Sequence, residues 1–246
     1  MAPISTPATL LKRARRVAVL TGAGISAESG IPTFRDALSG YWARFRAEDL
    51  ATPEAFERDP ELVWRWYRER RHRLRDAEPN PGHRALVTLS DKVPQLTLIT
   101  QNVDGLHARA GSTGVVELHG NLTRVRCFDA GHLAPEFPDT EAVPRCARCG
   151  SLLRPDVVWF GELLPQAALH RALEAARRAD VFLSVGTSNL VEPAASLRWI
   201  AAERGAAVLV INPTMDGQRR GPGVHHLAGP ASRILPELLS EAWPTD

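Results

Sequence analysis

"RVAVLTGAGIS" (Arg16–Ser26) begins as an apolar run and ends as a glycine loop. Val17–Leu20 reads as a strand without a polar face, the pattern of a strand buried on both sides. "LTLITQN", "VFLSVGTS" and "AAVLVINP" repeat the arrangement, a β-rich apolar run followed by small or polar residues. Helix candidates lie between these runs, among them Ala167–Arg178 and Pro193–Arg204, the second with proline at its start. Apolar strands alternating with helices predict an α/β fold whose parallel sheet is covered on both faces. Ligands of such sheets sit at the carboxyl ends of the strands. Here those ends carry "TGAGIS", "TQNVD", "GTS" and "NPT".

Two regions break the alternation. Residues of about 36–84 are rich in Trp, Arg and Pro and have helical but no strand character, and residues 127–159 hold all the cysteines. Both read as insertions that form a smaller part beside a sheet domain of about 1–35, 85–126 and 160–246. Of 246 residues, 44% are hydrophobic and 24% charged, which suits a globular chain with a real core. The net charge of +2 is too small to call for a nucleic-acid or anionic-membrane partner. No apolar run is long enough to span a bilayer, and the basic residues Lys12–Arg16 are not followed by a signal-peptide core. Three cysteines, two of them in "CARC", fit a reducing compartment better than a disulfide framework. The expectation is a cytoplasmic protein with no nucleic acid and no membrane as partner.

Gly22 and Gly24 stand where a backbone must approach something closely, a phosphate with free N–H groups as donors being the functional reading. Gly22-x-Gly24-x-x-Ala27 is a loose dinucleotide fingerprint and could equally be a plain turn. A dehydrogenase would also need an acidic residue ending a second strand about 20 residues on. The segment that follows, "IPTFRDALSGYW", is no strand, so a dinucleotide site is favoured over hydride transfer.

"GAGISAESGIPTFRD", "TQNVDGLH", "ELHGNL", "LRPDVVWFGE", "GTS" and "INPT" occur in the order and spacing of the sirtuins, and the chain resembles that family over nearly its whole length. Sirtuins are NAD-dependent protein-lysine deacylases. The resemblance implies a Rossmann-type large domain, a small domain made of a helical and a zinc-binding module, and NAD in the cleft between them. It implies that His119 is the general base, a role suited to an imidazole whose ordinary pKa lies near working pH. Asn102 and Asp104 would stand around the nicotinamide and its ribose, although Asn and Asp at a strand end are commonly turn residues. Gly22, Ala23, Gly24, Ile25, Ser26, Phe34, Arg35 and Gln101 would serve the cofactor loop and its neighbourhood. Gly186, Thr187, Ser188, Asn212, Pro213, Thr214 and Ala231 would line the remainder of the cofactor site, adenosine side included.

Sirtuins usually carry two CxxC pairs around a structural zinc. Here Cys146 and Cys149 are intact, but Cys127 is followed by "FDAGH", with Ala130 in place of its partner. Three thiolates remain, with Asp129 or His132 open as the fourth ligand of one Zn2+, or the module holds without metal. The stretch "VWRWYRERRHRLR" (Val63–Arg75) predicts a helix over 61–75 on which Tyr67 and Arg70 share a face. It resembles the sirtuin branch that removes succinyl and malonyl groups, in which such a Tyr-x-x-Arg pair takes the acyl carboxylate. A guanidinium can bind it bidentately, and Ala51 would leave room for the longer chain. Arg65, Arg68, Arg71, Arg73 and Arg75 read as a solvated face. Acylated lysine side chains of proteins are then the expected partners. The rival readings are a non-catalytic NAD or ADP-ribose binder, a mono-ADP-ribosyltransferase, and a zinc-ribbon nucleic-acid binder.

Overall fold

The computed structural model describes residues 6–31, 45–46, 49–188, 190–214 and 223–244. Along them run the strands β1 (Arg16–Thr21), β2 (Gln95–Thr100), β3 (Val116–Glu117), β4 (Gly120–Cys127), β5 (Leu133–Ala134), β6 (Leu153–Val157), β7 (Val181–Val185), β8 (Ala207–Asn212) and β9 (Val224–Ala228). The helices are α1 (Pro7–Arg13), α2 (Pro53–Arg58), α3 (Pro60–Asp76), α4 (Pro81–Lys92), α5 (Leu106–Ala110), α6 (Gln166–Arg178), α7 (Leu197–Glu203) and α8 (Ala231–Ala242).

Six strands form one parallel sheet in the order β3-β2-β1-β7-β8-β9. The chain adds strands outward from β1 in one direction, then returns to β7 and adds them in the other, which is the doubly wound Rossmann order. Side chains alternate across each strand, and both faces are apolar. Val17 and Val19 of β1 pack with Leu183, Leu209 and residues of α1, α4 and α8 on one face. Ala18 and Leu20 pack with Phe182, Val208 and the small residues Ala172, Ala176 and Ala201 of α6 and α7 on the other. The expected parallel sheet with two covered faces is therefore present. Pro193 does not open the following helix: a 3₁₀ turn over Ala194–Ser196 precedes α7, which begins at Leu197.

The smaller sheet is antiparallel, in the order β5-β4-β6. It takes in Gly120–Cys127, earlier than the 127–159 set apart by sequence, because β4 pairs with β6. Against it packs α3, capped by the Asp59 carboxylate, which accepts from the Leu62 N–H at 3.0 Å. Val63, Trp66, Tyr67 and Leu74 form its buried stripe, joined by Ala51, Phe56, Leu122, Val157 and Trp159. The arginines of α3 are not all solvated. Arg71 is 5% exposed, and the side chains of Arg68, Arg71, His72 and Arg75 converge on Asp139. That loop lies across the helix and also accepts from Trp64 Nε1 through the Thr140 carbonyl. Burial pushes the Asp139 carboxyl up, but Arg71 and His72 beside it hold it below the ordinary carboxylate range. No helix among the described residues is long and apolar enough to cross a membrane.

The loops after β1 and β7 touch backbone to backbone. A Cβ on Gly24 would stand 2.7 Å from Gly186 Cα, and one on Gly22 2.8 Å from the Gly186 carbonyl oxygen. Gly24→Ala is expected to lower stability by about 1–3 kcal/mol, the range for overpacking, read as a lower urea midpoint. An unchanged midpoint would mean that the two loops separate freely.

Candidate active site

The sheet reverses its strand order between β1 and β7, and the crevice outside their carboxyl ends is where an open α/β sheet binds its ligand. Gly22 N–H donates to the Val185 carbonyl at 3.0 Å and Gly24 N–H to the Gly186 carbonyl at 2.9 Å. These two N–H groups therefore hold the loops together and are not free donors, contrary to the sequence expectation. Gly186 has φ +60°, and a side chain there would run into the Ile25 backbone. The glycines serve this close approach of main chain to main chain. Beside it, Asn212 Nδ2 donates to the Thr187 carbonyl at 2.7 Å and fixes β8 against the β7 loop. Ser188, Pro213 and Thr214 are exposed at these strand ends, while Ala231 is buried at the start of α8 against Gly82. Phe34 and Arg35 lie outside the described residues.

Under the crevice lies a buried polar network centred on Ser26. Its hydroxyl donates to Asp104 Oδ2 at 2.7 Å and accepts from Asn102 Nδ2 at 3.1 Å. Asn102 Nδ2 also reaches the Gly22 carbonyl at 3.1 Å, and Asp104 Oδ1 accepts from Leu106 N–H at 2.9 Å. Burial pushes the Asp104 carboxyl up, against the pull of those two donors. Asn80 caps α4 and binds the Ile25 carbonyl at 2.7 Å. His83 Nε2 lies 3.4 Å from Ser26 Oγ, and the His107 ring, centred 4.9 Å from that of His83, reaches Thr21 Oγ1 at 2.8 Å. Burial pulls these imidazoles down to about 4 for His83 and about 3 for His107, so both are neutral at pH 7. Their place beneath the glycine loop has no local signal in the sequence.

His119 stands where the chain passes from β3 of the large sheet to β4 of the small one. Its Nδ1 is 3.0 Å from the Gln101 carbonyl oxygen. A carbonyl only accepts, so Nδ1 carries the proton and Nε2 presents a lone pair. Nε2 has no partner among the described residues. Burial lowers this imidazole's pKa below its ordinary value, partly offset by the Gln101 hydrogen bond. An imidazole held in this tautomer can accept a proton at Nε2. Val158 N–H donates to the His119 carbonyl at 2.9 Å, and the next residue, Trp159, donates its indole N–H to the Tyr67 hydroxyl at 3.0 Å. The Arg70 guanidinium lies 5.7 Å from the Tyr67 ring and 5.0 Å from that of Trp66. Ala51 is buried beside them, its carbonyl accepting from Phe160 N–H. The structure thus brings Tyr67, Arg70 and Ala51 together near the His119 strand.

The ligand atoms of Cys127, His132, Cys146 and Cys149 lie within 4.8 Å of one another. Of the two candidates left open by sequence, His132 joins the thiols; Asp129 does not. The β4–β5 turn does this, with Cys127 N–H donating to the His132 carbonyl at 2.8 Å. Burial pushes the Cys127 thiol up, but the Ala130 and Asp129 N–H groups, Cys149 and Ser151 bring it to about 7. Three sulfurs and one imidazole nitrogen form a donor set that can bind one zinc tetrahedrally.

Fold and site together define a doubly wound α/β protein with glycine loops at the strand-order reversal, a half-buried imidazole beside the strand ends and a cysteine–histidine cluster that can bind a metal. The sequence profile described as the Sir2 family matches residues 22–193. The chain belongs to the Sir2 family. It is similar to NAD-dependent protein deacylase 1 of Pseudomonas aeruginosa, 50% identical over 244 residues, with 96% of this chain and 97% of that protein covered. It is 57% identical over 208 residues to an NAD-dependent protein deacylase of Thermus thermophilus, covering 82% of this chain and 81% of that one. A solved structure described as a Sir2 homolog–NAD complex superposes with TM-score 0.83 at 44% identity, covering 96% of this chain and 92% of the other.

Metal analysis of the purified protein is expected to give about one zinc per chain, with His132→Ala lowering metal retention during dialysis against a chelator. Folded protein free of zinc, or a His132→Ala variant that keeps its metal as the wild type does, would contradict this ligand set.

Proposed function

We propose that the chain is an NAD-dependent protein-lysine deacylase that removes acetyl and, preferentially, succinyl and malonyl groups, yielding nicotinamide and O-acyl-ADP-ribose. The observation that carries the reading is the match to proteins named NAD-dependent protein deacylases, with about half their residues shared and a tautomer-locked His119 at the crevice. NAD, when bound, supplies a nicotinamide–ribose bond whose cleavage leaves an electrophilic anomeric carbon. Gly22–Ser26, Gln101, Gly186–Ser188 and Asn212–Thr214 would hold it, with Phe34 and Arg35 as further loop residues and Ala231 at the adenosine side. Asn102 and Asp104 support the reading as groups that order the loop through Ser26 and orient the nicotinamide side. His119 accepts a proton at Nε2 from a hydroxyl brought to it, while Gln101 keeps the opposite nitrogen protonated.

Tyr67 and Arg70 support the acyl preference. Tyr67 is buried and Arg70 half-buried beside it, and burial holds the Tyr67 phenol up at about 12, so its proton stays in place. Arg70 remains a cation at working pH, although burial lowers its pKa from the usual guanidinium range. A succinyl-lysine brings a carboxylate to this pair; an acetyl-lysine brings none. Cys127, His132, Cys146 and Cys149 would hold a closed structural zinc remote from the chemistry.

Because burial lowers the His119 pKa, the base stays neutral down to pH values below its ordinary 6.5 and is lost by protonation beneath that. The acid limb of kcat/KM is therefore expected to have its midpoint below about 6.5 and to shift or vanish in His119→Gln. A limb at or above pH 7 that survives this change would remove His119 as the base.

Arg70→Met is expected to lower the succinyl-to-acetyl ratio of kcat/KM by about 30- to 4,000-fold, since a buried anion left unpaired costs about 2–5 kcal/mol. Tyr67→Phe should lower it less, and the exposed Arg73→Met should leave the ratio unchanged. An Arg70→Met variant that loses both activities in parallel would show the pair to be structural.

A further inference from the structure

We propose that Trp159 is a positioning residue that aims the Tyr67 hydroxyl at the distal carboxylate of a dicarboxylic acyl group; the inference rests on the deacylase reading above. The indole N–H can only donate, so in its 3.0 Å contact with the Tyr67 hydroxyl the phenol oxygen is the acceptor. The Tyr67 proton must then point away from Trp159. The Tyr67 side chain is buried, and no acceptor for its proton stands among the described residues. A buried donor without an acceptor is costly, so this hydroxyl is completed by a group that arrives with a ligand. Burial keeps the phenol protonated across working pH. The Arg70 guanidinium beside the Tyr67 ring makes an anionic acceptor the favoured one.

The indole itself cannot turn. The Arg154 guanidinium carbon lies 3.3 Å from the Trp159 ring centroid, and Arg154 is 2% exposed. Arg154 Nη2 donates to Glu162 Oε2 at 2.9 Å and to the Val157 carbonyl at 2.8 Å, while the same Glu162 oxygen accepts from the Trp159 backbone N–H at 2.8 Å. Ring face and backbone are thus clamped by one ion pair. A cation stacked on the ring also draws electron density from it, which strengthens the indole N–H as a donor. The hydrogen bond from Val158 N–H to the His119 carbonyl ties this clamp to the strand that carries the base. Arg154, Trp159 and Tyr67 therefore form a relay of orientation from the base towards the acyl tail. A tryptophan needed for packing alone would require the ring but not its N–H.

Two replacements remove the N–H: Trp159→Phe, and site-specific 3-benzothienylalanine at 159, which substitutes sulfur for the N–H at nearly constant ring shape. Each is assayed with succinyl- and acetyl-lysine peptides, in wild-type and Tyr67→Phe backgrounds. The succinyl-to-acetyl ratio of kcat/KM is expected to fall about three- to tenfold, the worth of one hydrogen bond, and to show no further fall once Tyr67→Phe is present. The benzothienyl variant gives the same answer if Trp159→Phe fails to fold. An unchanged ratio, or effects of Trp159 and Tyr67 replacement that simply multiply, would overturn the role of Trp159 while leaving the deacylase reading intact. A wild-type protein that turns over acetyl- but not succinyl-lysine would remove the acyl preference and this inference with it.

Discussion

The contact between the loops after β1 and β7 is the constraint on which the site depends. Three glycines, Gly22, Gly24 and Gly186, let main chain meet main chain where the sheet reverses its strand order. Side chains at these places would drive the loops apart and close the crevice from within. The contact also sets the height of Ser26, and through it that of Asn102 and Asp104. A single hydroxyl accepts from one side chain and donates to another, tying the glycine loop to the carboxyl end of β2, while Asn80 ties the cap of α4 to the same loop. Such a network is stable only when its members are satisfied. Keeping His83 and His107 neutral avoids burying two positive charges in it.

A second set of contacts joins the two sheets. His119 lies at the crossing from β3 to β4, and the hydrogen bond from Leu122 N–H to the Val103 carbonyl at 2.8 Å holds β4 beside the carboxyl end of β2. His119 is thereby fixed to the large sheet through Gln101 and to the small one through Val158. Helix α3 docks on the small sheet with its aromatic stripe and carries Tyr67 and Arg70 to the same region. Arg68, Arg71 and Arg75 of the same helix are drawn to Asp139, so the helix is clamped on two sides by different chemistry, apolar contact and charge.

Much of this is legible in the sequence because it rests on short-range pattern. The apolar runs of β1, β7 and β8 have no polar face, and only a doubly covered parallel sheet accommodates that. The glycine loop, "QNVD" and "ELHGN" stand at strand ends, where α/β folds place ligands. What was not legible depends on partners distant along the chain. The Gly22 and Gly24 N–H groups look free in a motif, yet they pair with carbonyls more than 150 residues away. Arg71 looks like one arginine of a solvated run until Asp139 folds onto it. His132 and Asp129 stand as equal candidates beside Cys127 until the β4–β5 turn brings His132 to the thiols. Pro193 resembles a helix start, but the chain first makes a 3₁₀ turn. The pairing of Trp159 with Tyr67 joins residues 92 positions apart in the chain, and no local pattern announces it.

The most direct measurement is the mass of a succinyl-lysine peptide after incubation with the protein, with and without NAD, alongside His119→Ala. The account predicts that the acyl group is lost only when NAD is present, that unmodified lysine peptide appears together with nicotinamide, and that His119→Ala binds NAD but leaves the peptide acylated. A peptide that keeps its acyl group and gains the mass of an ADP-ribosyl unit, or one that remains unchanged with NAD bound to the wild-type protein, would contradict it.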